Sequence, residues 1–369
     1  MPSYLGAIGT ATPPHRLAQP VIADFMAQAL ELDADGTRKL RALYRASGIA
    51  HRHSVLPDYG RALGDYEFYP NTAGLEPFPT VSQRMAAYRR EALPLAVAAV
   101  RASLALAPGI EAASLTHLIT VSCTGMYAPG LDIELVSALG LQTSVRRTCA
   151  NFMGCYAAVN ALRLADSIAR AEPTARVLVV SVELCTLHFQ KSHDADHLVS
   201  NALFSDGAAA ALVLGQPLPA PCLALQAFHC GLAPEGTRDM AWHIGDTGFE
   251  MTLSGYVPAL IERGIGPLVA GLLHELPVEL ADIRHFALHP GGRKILEAIE
   301  KALGLSPHDN RLAYQVLRDY GNMSSATVLF VLRELLATLT PADAGAKVLS
   351  CAFGPGLTLE AMLLEVCCG

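Results

Sequence analysis

The chain of 369 residues carries 27 basic and 34 acidic side chains, a formal charge of −7, and is 51% hydrophobic but only 17% charged. This composition excludes a disordered chain, which would be rich in charge and poor in apolar residues. It also argues against a nucleic-acid partner, because the sequence has no basic excess and only one Trp.

Strand-like and helix-like segments alternate along the chain. Short apolar or β-branched runs predict strands, and longer Ala/Leu-rich runs with helical spacing predict helices. The predicted strands cover residues 118–122, 176–182, 208–214, 223–228, 285–288, 348–353 and 357–366, and the predicted helices cover 155–170, 293–303 and 326–339. This alternation predicts an α/β fold with a largely parallel, covered sheet. The proline-rich stretch at 216–221 predicts a boundary between two halves, 1–217 and 218–369.

The cysteines, the N-terminal residues and the longest uncharged stretch indicate the cellular compartment of the protein. Nine cysteines, an odd number spread along the chain, do not resemble the clustered even set of a secreted disulfide scaffold. The first residues show no basic segment followed by an apolar one, so no signal peptide is expected. The uncharged stretch at 207–228 contains three prolines, and its apolar part is too short to span a bilayer. We therefore expect a cytoplasmic protein without membrane insertion.

Cys155 lies just after Gly154, where a strand gives way to a helix. A helix N-terminus carries free N–H groups and a partial positive charge, which favour a thiolate. The sequence thus predicts either a nucleophile or, as is common for a free cysteine, a small buried apolar side chain.

Two downstream segments supply what a nucleophilic cysteine needs. His289 follows a predicted strand and precedes Pro290, and it offers an imidazole beside the thiolate. Asn322 precedes a predicted helix, where it is either an N-cap or a donor to an oxyanion. The three residues together are more specific than any one of them.

The segments GCYAA, ALFSDGAAA, HPGGRKIL, YGNMSSATVLFVL and FGPGLTLE resemble the type III polyketide synthases, the chalcone-synthase-like members of the thiolase superfamily. The segment SCTGMYAPGLD resembles their bacterial branch. The resemblance implies an αβαβα layered fold of two similar halves, a homodimer, and a triad of Cys155, His289 and Asn322. The first half would carry the cysteine, and the second half the histidine and the asparagine.

The resemblance also implies an acyltransferase that uses CoA thioesters. The sequence has no Walker loop or dinucleotide glycine pattern, so no cofactor is expected. Cys155, paired with an imidazolium at His289, would take a starter acyl group from CoA. Decarboxylative Claisen condensations with malonyl-CoA would extend it, and cyclisation would give a pyrone or a resorcinol-type phenol.

Further positions follow from the resemblance alone. Of the two phenylalanines that guard the family's entrance, one falls on Phe204, and the other falls on Met251 or is replaced by Phe249. The cavity-lining positions fall on Cys123, Thr124, His188, Trp242, Met251 and Ser324. The CoA contacts fall on Lys39, with Arg41 or Arg45 compensating for two alanines, although this basic run is equally typical of a solvated helix face.

Three alternatives remain at this point. A ketoacyl synthase III shares the triad but would work with an acyl carrier protein. A papain-like hydrolase also orders Cys, His and Asn, but its cysteine lies in a different motif. The HFQKSHDADH segment contains metal-ligating residue types, yet it reads better as a cavity residue, His188, followed by a solvated helix start, so no metal is expected.

Overall fold

A nine-stranded sheet runs through the protein, in a computed structural model that describes residues 2–274 and 276–368. The strands in this part of the chain are β1 (Ser3–Ala11), β2 (His15–Ala18), β3 (His51–Ser54), β4 (His117–Ser122), β5 (Arg146–Asn151), β6 (Arg176–Leu184), β7 (Asp206–Leu214), β8 (Cys222–Leu232), β9 (Met240–Ile244), β10 (Phe249–Leu253), β11 (Ile283–Leu288), β12 (Lys347–Gly354) and β13 (Thr358–Cys367). The α-helices are α1 (Gln19–Ala29), α2 (Ala34–Ala46), α3 (Val81–Ala105), α4 (Leu131–Leu139), α5 (Ala157–Ala171), α6 (Ala195–Leu203), α7 (Val257–Leu273), α8 (Arg293–Leu303), α9 (Arg311–Tyr320) and α10 (Ala326–Thr338).

The large sheet is mixed, with the strand order β11-β12-β13-β8-β1-β7-β6-β4-β5. The pairs β4–β5, β4–β6 and β11–β12 are parallel, and the other neighbours are antiparallel. The expectation of a largely parallel sheet is therefore wrong. Continuous apolar runs indicate that both faces of a strand are covered, but they carry no information on its direction.

Helices cover both faces of this sheet. Helix α3 contacts β1, β6 and β7, and α7 contacts β8 and β13. Between them, α5 contacts β4, β6 and β13, and α10 contacts β1, β7 and β11, so these two helices touch strands from both ends of the sheet. This gives the predicted αβαβα layering. A short pairing of Ser3–Leu5 with Leu223–Leu225 joins the two strand layers into one sheet.

The core follows from the sequence pattern. Strand β7 (DGAAAALVL) is buried along its whole length, as its lack of large polar side chains predicts. Helix α5 buries the small residues of its inner face, which lets it pack closely between the strand layers. The connection at 215–221 lies between β7 and β8, at the predicted boundary, while the sheet continues across it. In the described residues, no helix is both long and apolar enough to cross a membrane.

Candidate active site

Cys155 lies two residues before α5, where the chain turns from β5 into the helix, and its side chain is buried. Gly154 makes this turn with a φ of +84°, in the left-handed region that favours glycine. A Cβ atom at position 154 would lie 2.4 Å from Cδ of Pro355. A larger residue therefore does not fit, and the glycine sets the thiol at the start of the helix.

Burial dominates the electrostatics of the Cys155 thiol. It raises the pKa of this thiol to about 12, and the charge of Glu183 acts in the same direction. Hydrogen bonds from the Ser324 hydroxyl and the Asn322 amide lower the pKa, because they stabilise the thiolate. The resting thiol is accordingly protonated at neutral pH.

His289 directly follows β11, and its backbone N–H donates to the Cys351 carbonyl of β12 at 2.8 Å. The ring is buried, and neither Nδ1 nor Nε2 has a hydrogen-bond partner in residues 2–274 and 276–368. Burial lowers the pKa of His289 to about 3, so the ring is neutral in the ligand-free site. The imidazolium–thiolate pair expected from the sequence is thus opposed by burial of both partners, while the hydrogen bonds from Ser324 and Asn322 favour the thiolate.

Asn322 lies in the connection between α9 and α10 and is fixed through its backbone. Its N–H donates to the Leu203 carbonyl and its own carbonyl accepts from the Ser205 N–H, both at 2.9 Å. In the side chain, Oδ1 accepts from the Ser324 N–H at 2.9 Å, and Nδ2 donates to the Gly291 carbonyl at 3.2 Å. Because an amide nitrogen carries two hydrogens, the other one can donate to the Cys155 sulfur or, once that sulfur is acylated, to a ligand.

Asn322 connects the three predicted residues. Its amide donates toward the Cys155 sulfur, and it also contacts the Gly291 carbonyl, two residues after His289. All three side chains are at most 2% exposed. The structure therefore places an oriented amide between the Cys155 thiol and the segment that carries His289, in a water-poor region. In such a region, donors stabilise a developing negative charge strongly.

A narrow cavity lies against Cys155, with about 280 Å³ of space between atoms, of which about 10 Å³ is open to a water-sized group. Most of the predicted lining residues form its wall, namely Cys123, Thr124, Phe204, Trp242, Met251 and Ser324. His188, which the sequence analysis placed in the same wall, lines a neighbouring cavity of about 560 Å³ instead.

A hydrogen-bond network on one side of the smaller cavity converges on Glu183. Its carboxylate accepts from the Thr124 hydroxyl at 2.8 Å, from the Cys123 N–H at 3.1 Å and from the Ser325 hydroxyl. The Cys123 sulfur also lies 3.1 Å from the Ser324 hydroxyl oxygen. Burial raises the pKa of Glu183, so this carboxyl is more easily protonated than an exposed one. Sequence analysis missed Glu183, although a charged residue inside the apolar run VVSVEL is a visible signal.

Aromatic rings form another side of the wall. Trp242 donates from Nε1 to the Cys123 carbonyl at 2.7 Å, which fixes the indole. The His188 ring stacks on Phe249 with 4.2 Å between ring centroids. It accepts at Nδ1 from the Phe249 N–H at 3.0 Å, and its Nε2 lies 2.7 Å from the Thr124 carbonyl. Burial lowers the pKa of His188 to about 3, so it donates from Nε2 as a neutral ring.

The predicted entrance residues take different positions. Phe204 and Met251 line both the 280 Å³ and the 560 Å³ cavities, together with Cys185 and Trp242. Phe249, the alternative to Met251, is 1% exposed and stands behind the wall in contact with His188. The structure thus places Met251, and not Phe249, at the cavity surface.

A groove of about 1,000 Å³ opens where α2, α6 and the start of α8 meet. Leu43, Ala46 and Ser47 line it from α2 and its C-terminal end, and Arg293 and Lys294 line it from α8. Leu203 and Gly291, two of the backbone partners of Asn322, also lie in its wall, so the groove adjoins Asn322.

The three predicted CoA contacts on α2 lie outside this groove. Lys39 pairs with Asp35 at 2.7 Å, and Arg41 pairs with Asp24 at 2.8 Å. Arg41 and Arg45 line a separate depression beside α1. Their role in CoA binding stays a prediction, and the groove adds Arg293 and Lys294, which the sequence analysis did not select.

The HDADH segment starts α6 at Ala195, with Asp194 as the preceding residue. In the described residues, no group of three or more His, Cys, Asp or Glu side chains is placed to hold a metal ion.

Family models for chalcone and stilbene synthases match nearly the whole chain, the N-terminal domain over residues 2–217 and the C-terminal domain over residues 224–367. The chain belongs to the chalcone and stilbene synthase family. The family resemblance inferred from the sequence is therefore confirmed, and a ketoacyl synthase III is not favoured.

Relatives and solved structures agree with this assignment. The chain is 32% identical to the alpha-pyrone synthesis polyketide synthase-like Pks18 of Mycobacterium tuberculosis, over 99% of this chain and 91% of the relative. It is also 32% identical to a 1,3,6,8-tetrahydroxynaphthalene synthase of Streptomyces peucetius, over 98% and 92%.

Two solved structures superpose closely on this type III polyketide synthase. One is the C-terminal type III polyketide synthase domain of the Dictyostelium hybrid Steely1, with a TM-score of 0.90 and 29% identity over 99% of both chains. The other is PKS-I of the brown alga Ectocarpus siliculosus, with a TM-score of 0.90 and 30% identity over 99% and 98%. The predicted thiolase-like fold is confirmed.

Proposed function

We propose that this type III polyketide synthase loads an acyl group from a CoA thioester onto Cys155, extends it with malonyl-CoA, and closes the product to a pyrone or a resorcinol-type phenol. The observation that carries the proposal is the buried Asn322 amide, which connects the Cys155 thiol with the segment that carries His289. In residues 2–274 and 276–368, the ring nitrogens of His289 have no partner and are available to a substrate. The matched family models support the reaction class.

Loading begins from the neutral pair. His289, which is neutral because burial lowers its pKa to about 3, accepts the proton of Cys155 as the sulfur attacks the thioester carbonyl. The imidazolium formed then returns the proton to the departing CoA sulfur. The acyl group remains on Cys155 as a thioester, and CoA leaves as a thiol.

Extension uses the donors that loading leaves in place. Loss of CO₂ from malonyl-CoA produces an enolate, whose negative oxygen accepts from the free N–H of Asn322 and from the His289 ring. The enolate carbon attacks the Cys155 thioester, the new C–C bond forms, and the sulfur leaves as the thiolate. The exclusion of water around all three side chains strengthens these interactions.

The groove beside the triad is the proposed CoA site. Arg293 and Lys294 supply positive charge for phosphate groups, and Leu43 and Ala46 supply apolar surface. A homodimer in the cytoplasm, acting on free CoA thioesters without a cofactor, completes the proposal.

The experiment is turnover of malonyl-CoA with a panel of short, long and aromatic acyl-CoA starters, with products identified by mass spectrometry. The proposal requires pyrones or phenols from the wild type and none from Cys155→Ala. A protein that forms no product from any CoA ester, but becomes active when an acyl carrier protein is added, would refute the proposed use of free CoA esters.

A further inference from the structure

The 560 Å³ cavity that adjoins the cavity against Cys155 is here called the distal chamber. About 40 Å³ of this space is open to a water-sized group, which is room for about two or three such groups, such as the oxygens of a carboxylate. The two cavities share four wall side chains, Cys185, Phe204, Trp242 and Met251. An acyl chain attached to Cys155 that passes between these side chains would place its far end in the distal chamber.

The distal chamber contains buried polar atoms that have no partner in residues 2–274 and 276–368. These are Nη2 of Arg52, Nδ1 of His53, Nδ1 of His197 and Oγ of Ser200, and all four residues line the chamber. The nearest acidic atom to the His197 nitrogen is Oδ2 of Asp194, at 4.0 Å. Buried polar groups in proteins are almost always hydrogen-bonded to protein or to ordered water, so these four atoms require water or a polar ligand group in the chamber.

Arg52 identifies the sign of that ligand. Its side chain is 3% exposed, with Nε donating to Oε1 of Gln19 at 2.8 Å and Nη1 donating to the carbonyls of Asn201 and Phe204 at 2.8 and 2.7 Å. Its guanidinium forms no ion pair with any carboxylate of the described residues. A buried positive charge whose remaining donor has no partner favours an anionic ligand.

Asp206, the acid whose charge acts on Arg52, does not neutralise it directly. The Asp206 carboxylate already accepts from the Thr186 N–H at 2.7 Å, the Thr186 hydroxyl at 2.7 Å and the Val55 N–H at 2.8 Å. Burial raises the pKa of Asp206 to about 7, so a good part of its population is neutral at physiological pH.

We propose that the distal chamber binds the far end of the starter acyl group and that this end is a carboxylate, so that the preferred starter is the mono-CoA thioester of a dicarboxylic acid. The inference rests on the proposed function, since it assigns the substrate class of the same site. The terminal carboxylate would accept from Nη2 of Arg52, the Ser200 hydroxyl and the His53 ring. A methyl-terminated chain would leave these donors unpartnered.

The experiment compares starters in pairs of equal length, from hexanoyl-CoA with the mono-CoA thioester of hexanedioic acid up to the tetradecanoyl pair. Acylation of Cys155 is measured by intact-protein mass before malonyl-CoA is added, and kcat/KM is measured after it. At the best chain length, the dicarboxylic starter should be favoured by about tenfold or more, as expected for hydrogen bonds to a charged group. Preference for the methyl-terminated starter at every length would overturn the inference.

Two variants tie the preference to the distal chamber. Ser200→Ala removes a hydroxyl that has no partner, so folding should be unaffected, and the ratio of the two kcat/KM values should fall by about threefold to tenfold. Arg52→Gln should abolish the preference where the variant folds. Ser192→Ala, at a serine outside both cavities whose hydroxyl accepts from the Asp194 N–H, should keep the wild-type ratio. An unchanged ratio in Ser200→Ala would contradict the inference even if Arg52→Gln does not fold.

The readouts separate this inference from the proposed function. Selective acylation of Cys155 by dicarboxylic starters without any condensation product would support the inference and refute the polyketide synthesis. Condensation of methyl-terminated starters without a preference for dicarboxylic starters would support polyketide synthesis and refute the inference. No acylation by any starter would refute both.

Discussion

Replacing Ser324 with alanine should raise the pKa of Cys155. The Ser324 hydroxyl donates toward the Cys155 sulfur and is the strongest group that opposes the burial effect. A hydrogen bond contributes about 0.5–1.5 kcal/mol net, and one pKa unit corresponds to about 1.36 kcal/mol, so its loss should shift the pKa upward by roughly 0.4–1.1 units.

The assay is the rate of alkylation of Cys155 by iodoacetamide as a function of pH, with Cys155→Ala as the blank. Below the pKa, the rate follows the thiolate fraction, so Ser324→Ala should react about 2.5–13 times more slowly than wild type at each pH. The whole profile should move to higher pH without a change in its slope.

Ser325→Ala is a control with the opposite expected sign. The Ser325 hydroxyl donates to Glu183 and thereby lowers the pKa of that carboxyl. Without it, Glu183 is protonated more readily, and the negative charge that raises the pKa of Cys155 becomes weaker. Alkylation in this variant should be unchanged or faster. Coincident profiles for Ser324→Ala and wild type, or slower alkylation in both variants, would refute the reasoning.

Gly154→Ala should lower the free energy of unfolding by about 2–4 kcal/mol in urea denaturation, because it adds a left-handed alanine and a 2.4 Å approach to a proline ring; an unchanged midpoint would contradict this. Trp242→Phe should leave the Cys123 carbonyl without its partner and lower the free energy of unfolding by about 1–3 kcal/mol. It should also widen the cavity, so that product masses shift to longer polyketides. An identical melting curve and product profile would contradict both the stabilising and the cavity-limiting role of Trp242. Lys294→Ala should raise KM for malonyl-CoA by about threefold to tenfold while kcat stays near wild type, and equal KM values would remove it from the CoA site.

The sequence predicts the elements around the site well, because their physical signals are local. The run RKILEAIEKAL has helical spacing and ends before Gly304, and the structure places α8 at Arg293–Leu303, as predicted. The apolar run at 176–182 forms most of β6, and the run at 208–214 most of β7. Strand direction carries no such local signal, since a strand covered on both faces is equally apolar in parallel and antiparallel pairing. The sheet therefore contains the predicted strands, but the relative directions of neighbouring strands differ from the prediction.

In the candidate site, the identity of the residues can be predicted from the sequence, but their charge states cannot. Cys155, His289 and Asn322 are recognisable because each follows a turn or strand end that the sequence itself marks. The charge states of Cys155 and His289 are not recognisable, because burial sets them and burial depends on the packing of distant segments.

The role proposed for the distal chamber illustrates why substrate specificity is harder to predict from a sequence than catalytic residues are. Arg52 comes from β3 and Ser200 from α6, and no motif joins these positions in the sequence. Arg52 and Ser200 stand out because each has a buried polar atom without a hydrogen-bond partner in the described residues. This property is visible only in the folded structure. Lys39 lies on an exposed helix, where Asp35 and solvent balance its charge. Arg52 is buried and forms no ion pair with a carboxylate of the described residues. Substrate choice in this synthase is therefore expected to follow from the buried guanidinium more than from the exposed basic residues of α2 that its sequence first suggests.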